Sequence, residues 1–126
     1  MNPKVVAGAR IVLGLLLIVF GLNKFLQFMP MPEMAEPAGT FMGALVGTGY
    51  MMPLVAVVEI LVGALLLVNR YVALALLLLA PISVNIVAFH LFLDMGGMAG
   101  AALVFILNIF LLFAYRSRYQ PLLAHQ

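Results

Sequence analysis

Residues 51–93 read MMPLVAVVEILVGALLLVNRYVALALLLLAPISVNIVAFHLFL. The first half, Met51 to Val68, is apolar except for Glu59, and the second, Tyr71 to Leu93, carries no formal charge. Each half has roughly the 17–25 residues that a membrane-spanning helix needs. Neither shows the polar face of a soluble amphipathic helix. Only Asn69-Arg70 separates them, and so short a link makes the two helices antiparallel neighbours.

The same pattern continues on both sides. Val5 to Leu22 is broken only by Arg10, and Met95 to Tyr115 is uncharged. The expected fold is an all-α, integral membrane, antiparallel four-helix bundle forming a single membrane domain over residues 1–126, with spans at about 5–22, 51–68, 71–93 and 95–115. The first run starts basic, like a signal peptide, but no small-x-small site follows Phe20, so it is expected to stay in place as a span.

Composition agrees with this. Hydrophobic residues make up 67% of the 126 and charged residues 8%, against about 45–50% and about 25% in soluble domains. Ten charged side chains (six basic, four acidic) cannot cover a small fold, which excludes a soluble monomer as well as a disordered chain. A net charge of +2 without a basic stripe excludes nucleic acid as a partner. With no cysteine, disulfides, thiolate metal sites, iron–sulfur clusters and thiol redox chemistry are excluded.

The links between spans are unequal. Asp94-Met-Gly-Gly turns between the last two, with Gly96 and Gly97 available for left-handed dihedrals. The loop over residues 23–50 is long, and Pro30, Pro32 and Pro37 make its first half irregular. Its second half, Phe41 to Val46, follows Thr40 as a candidate N-cap and is expected to form a short interfacial helix. Lys4, Arg10, Arg70, Arg116 and Arg118 fall on the side of the termini, against Lys24 with Glu33, Glu36 and Asp94 on the other. Positive charge in short loops marks the cytoplasmic side, so both termini and the tail 116–126 are expected in the cytoplasm and the long loop in the periplasm. Tyr71, Tyr115 and Tyr119 fit an aromatic belt on the inner side, and Tyr50 fits one on the outer side.

Polar residues within the spans are the candidate site. Glu59 lies mid-helix, where a carboxylate needs a partner, and Arg10 is the expected cation. That pair either fixes packing only or binds a ligand or handles protons; in the remaining alternative Arg10 snorkels to the cytoplasmic headgroups and Glu59 is protonated. Asn85 and Asn108, at similar depth, are expected to hydrogen-bond across the bundle centre. Together Arg10, Glu59, Asn85 and Asn108 are read as a buried polar core, with Lys24 and His90 at its mouth. Ala7, Gly14 and Gly21 recur every seven residues as a packing seam. Apart from the initiator, the methionines (Met29, Met31, Met34, Met42, Met51, Met52, Met95 and Met98) cluster on the outer side. Thioethers suit Cu(I), but without cysteine the expected role is flexible apolar filler, and no metal site is expected.

Several stretches resemble the DoxX family of small bacterial membrane proteins. They are Arg10, Gly14 and Gly21-Leu-Asn-Lys24, then Thr48-Gly-Tyr-Met-Met-Pro leading into Val58-Glu-Ile-Leu-Val-Gly63, then Pro81-Ile-Ser-Val-Asn85 and Phe89-His-Leu-Phe-Leu-Asp94. The resemblance implies a four-helix membrane fold. It also implies a link to redox complexes, since the family takes its name from subunits associated with a thiosulfate:quinone oxidoreductase. The chain itself shows no flavin or nicotinamide fingerprint. The expected function is a non-enzymatic accessory or anchoring subunit of a redox-linked inner-membrane complex, lining a site for quinone or another small apolar molecule. Its expected partners are the lipid bilayer and other membrane subunits or further copies of itself. The rival readings are a small-solute or proton transporter using Glu59 and a purely structural subunit.

Overall fold

The computed structural model describes residues 2–26, 34 and 36–123. Met29, Pro30, Met31, Pro32 and Glu33 lie outside the described residues, and with them two of the outer methionines. The helices are α1 (Pro3–Leu26), α2 (Glu36–Gly47), α3 (Met51–Val68), α4 (Val72–Phe92), α5 (Met98–Ala114) and α6 (Gln120–Leu123). A 3₁₀ turn, Met95–Gly97, leads into α5, and another, Arg116–Tyr119, leads into α6. Among the described residues four segments are long and apolar enough to cross a membrane: α1, α3, α4 and Met95–Ala114. They pack as a ring in chain order, α1 on α3, α3 on α4, α4 on α5, and α5 back on α1. Leu13, Leu17, Val62, Leu66, Leu76, Leu79, Val104 and Leu111 fill the centre.

The tightest seam joins α1 to α3. A β-carbon added at Gly63 would lie 2.8 Å from the Gly14 carbonyl oxygen, and one at Gly21 would lie 2.6 Å from Ile60 and 3.1 Å from the Ala56 carbonyl. Gly14, Gly21 and Gly63 therefore let the two backbones touch. Such contact drives helix association in lipid, where there is no hydrophobic force between helices.

The turns depart from expectation in two places. Helix α2 starts at Glu36, with Glu36 and Pro37 in its first turn, where an acid complements the helix dipole and proline's missing N–H costs nothing. Thr40 is thus inside α2 and not its N-cap, and its hydroxyl donates to the Glu36 carbonyl at 3.0 Å. Gly96 and Gly97 are not left-handed; among the described residues positive φ occurs at Asn69, Tyr71 and Gly49. Gly97 is needed for space instead, because a β-carbon there would sit 2.3 Å from the His90 ring. The Asn69-Arg70 turn works through Asn69 at φ 59°, whose N–H reaches the last carbonyls of α3.

The seam predicts opposite outcomes for one kind of substitution. Alanine favours a helix over glycine by about 1 kcal/mol, and at Gly8 nothing lies within 4 Å of the new carbon. Gly8→Ala is expected to hold or raise the thermal midpoint in detergent. Gly63→Ala is expected to lower it, since overpacking of about 1–3 kcal/mol outweighs the helix gain.

Candidate functional site

Glu59 is 1% exposed, the most buried charged side chain among the described residues. Its partner is Lys24, whose Nζ lies 2.6 Å from Glu59 Oε1. Arg10 does not pair with Glu59. Its guanidinium donates instead to the Leu66 carbonyl near the end of α3.

Helix geometry explains the correction. A Cα–Cβ bond leans toward its helix's N-terminus. Helices α1 and α3 run antiparallel, so the Lys24 side chain leans back toward the middle of the bundle while Glu59 leans toward the α1 C-terminus. The two side chains meet. Arg10 leans the same way as Lys24, toward the α1 N-terminus, which from its position is away from Glu59 and toward the end of α3, where the last carbonyls and the negative end of the helix dipole favour a cation. Arg10 and Lys24 are about 21 Å apart along α1, too far for both to serve Glu59.

A second polar knot ties α4 to α5. Asn108 is fully buried. Its Oδ1 accepts from the Ser83 hydroxyl at 2.8 Å, and its Nδ2 donates to the Leu76 carbonyl at 3.3 Å. Asn85 does not join this knot: it is exposed on the outer side of α4, and its Nδ2 donates to the Pro81 carbonyl one turn back, at 2.8 Å. Ser83, two residues earlier, faces inward and takes the place expected for Asn85.

At the far end, His90 Nδ1 lies 2.9 Å from the Asp94 carbonyl. A carbonyl only accepts, so Nδ1 carries the proton. The Asp94 carboxylate in turn caps the 3₁₀ turn through the Gly96 N–H. At the terminal end, the Tyr119 hydroxyl donates to the Ala73 carbonyl at 2.9 Å. Burial, with Tyr115 adding to it, holds the Tyr119 phenol above its ordinary pKa, so this bond is present below the usual tyrosine range and is lost as pH rises through the raised value.

The expected polar core is thus several separate contacts. Lys24 joins Glu59, Asn108 joins Ser83, and Arg10, Asn85 and His90 each serve a backbone carbonyl. Among the described residues no three of His, Asp or Glu converge as metal ligands. Sequence reading missed Ser83, Tyr119 and the role of Gly97. The Gly14–Gly63 and Gly21–Ala56 contacts carry the signal for Lys24, since that register sets Lys24 beside the turn before Glu59.

Four apolar helices with their interior polar groups paired define a multi-pass membrane protein in contact with the lipid bilayer. The DoxX family model matches residues 5–94, and the chain belongs to the DoxX family. No curated protein and no solved structure matches it.

The geometry predicts the sign of two double-mutant cycles. Lys24→Leu or Glu59→Leu alone leaves a lone charge in hydrocarbon, and losing one partner of a buried pair costs roughly 3–5 kcal/mol. The double variant is expected to be more stable than either single variant in thermal unfolding. Arg10→Leu with Glu59→Leu is expected to be additive within about 0.5 kcal/mol.

Proposed function

We propose that the protein is a non-enzymatic accessory or anchoring subunit of a redox-linked complex in the bacterial inner membrane, with both termini in the cytoplasm. The observation that carries this reading is the spending of each interior polar side chain described above on another group of the same chain. Glu59 holds α1 to α3, Asn108 holds α4 to α5, and Arg10 closes the end of α3. Such contacts hold helices in register. Among the described residues the interior polar side chains meet each other or backbone carbonyls, and no nucleophile is set beside a base. The redox association rests on the family resemblance, and the orientation rests on the excess of Lys and Arg on the side of the termini.

A quinone or similar apolar molecule suits the open groove between α2 and the end of α4. Pro37, Phe41, Ala44 and Leu93 give it an apolar wall, and Glu36 and Thr40 a polar edge. The second reading is a proton or small-solute pathway. It draws on Lys24, 22% exposed, leading from the far end to the buried Glu59.

Purification from native membranes in mild detergent separates the two readings. The subunit reading expects a larger membrane complex with a quinone-reactive protein in fixed ratio. A protein that purifies alone and supports a proton or solute flux in vesicles, abolished by Glu59→Gln, would contradict it. Reporter fusions at Gln126 and beside Glu36 check the orientation; a periplasmic signal from Gln126 overturns it.

A further inference from the structure

The outward face of α4 is unlike the other lipid-facing surfaces. Leu74, Leu78 and Phe92 stand on one stripe of the helix and are 53%, 42% and 79% exposed. Pro81 and Asn85 lie between them on the same stripe and are also exposed. The exposed positions on the middle stretches of α1, α3 and α5 are apolar, among them Leu15, Leu61 and Ile106. Among the described residues, Asn85 is the one exposed hydrogen-bonding side chain away from the ends of the four spans. It lies about 5 Å from the midpoint of α4 along its axis.

That position is unfavourable for a carboxamide facing lipid. The group offers two N–H donors and an oxygen that accepts twice. One N–H goes to the Pro81 carbonyl. The other N–H and the oxygen have no partner among the described residues, and on this exposed face hydrocarbon supplies none. A carboxamide is self-complementary: across a twofold axis each oxygen accepts the other's N–H. A twofold interface sets the same patch against itself, so one residue on the axis meets both needs. A single asparagine within an apolar helix seam also fixes register and copy number.

We propose that the α4 stripe Leu74–Leu78–Pro81–Asn85–Phe92 is the contact face of a homodimer, with the two Asn85 carboxamides paired in the membrane and the apolar side chains packed around them. The occupant is a second copy of this chain, because an identical amide at the same depth matches both remaining hydrogen-bonding groups by symmetry and needs no other partner. This dimer does not depend on the functional reading above; a homodimer could serve within a redox complex or alone.

The absence of cysteine makes the test direct. Single cysteines are placed at Leu74, Leu78 or Phe92, and, for comparison, at Leu15, Leu61 or Ile106. Full-length protein in lipid vesicles is then oxidised, and subunit number is counted by single-molecule photobleaching. The expected result is a dimer, with disulfide-linked dimers from the α4 positions and none from the comparison positions. Asn85→Leu is expected to weaken dimerisation about tenfold, the scale of one to two interhelical hydrogen bonds, with helix content by circular dichroism unchanged because the side chain faces outward. A monomer, crosslinking through α1, α3 or α5, a dimer indifferent to Asn85→Leu, or capture of the α4 cysteines by a different membrane protein would each overturn the proposal. Should Asn85→Leu fail to fold, the crosslinking pattern of the otherwise unchanged chain decides alone.

Discussion

A carboxylate in the middle of α3 cannot be left without a cation in hydrocarbon, and the arrangement of α1 against α3 follows from supplying one. Lys24 reaches Glu59 only if the two helices lie close and in one register. The glycines provide both conditions: Gly14 against Gly63 and Gly21 against Ala56 remove the side chains that would hold the backbones apart. Neither device suffices alone. A glycine seam without the ion pair would tolerate sliding, and an ion pair between widely spaced helices would leave Glu59 open to lipid.

The remaining polar contacts treat the other helices in the same manner, with backbone carbonyls as the common acceptor. Asn108 reaches Leu76, Arg10 reaches Leu66, His90 reaches Asp94 and Tyr119 reaches Ala73. In each case a side chain from one turn or helix secures an oxygen on another. Arg10 acts near the end of α3 and His90 at the end of α4, where the last carbonyls lie beyond the helical ladder, whereas Tyr119 reaches a carbonyl in the first turn of α4. Asn108 acts mid-span and needs Ser83 to satisfy its own oxygen. The apolar core could be met by many rotations of these helices. The polar contacts select one of them.

The four spans were legible because their signal, long apolar runs with few charges, is a property of each segment alone. Glu59 and Asn108 stood out for the same reason. Pairing was less legible. Arg10 is as basic as Lys24 and stands in the same helix, and the choice between them depends on chain direction and on the lean of side chains, not on residue type. Asn85 and Ser83 lie two residues apart on α4, and which one faces inward depends on the rotation of a helix that is apolar nearly all round. Tyr119 lies beyond the last span, where hydropathy says nothing of how the chain folds back. Helix α2 was legible as an element, but its start was not, because Glu36 and Pro37 together make a helix beginning that competes with Thr40.

The central claim is that Lys24, and not Arg10, neutralises Glu59 inside the bundle. The chain holds few lysines and few carboxylates, so solid-state NMR on protein labelled with ¹³C-glutamate and ¹⁵N-lysine in lipid bilayers measures this contact with little overlap. A strong dipolar coupling between the Glu59 carboxyl carbon and the Lys24 Nζ, lost in Lys24→Leu and kept in Arg10→Leu, is the predicted result. A Glu59 carboxyl that shows no coupling to lysine, but couples to labelled arginine, would contradict it.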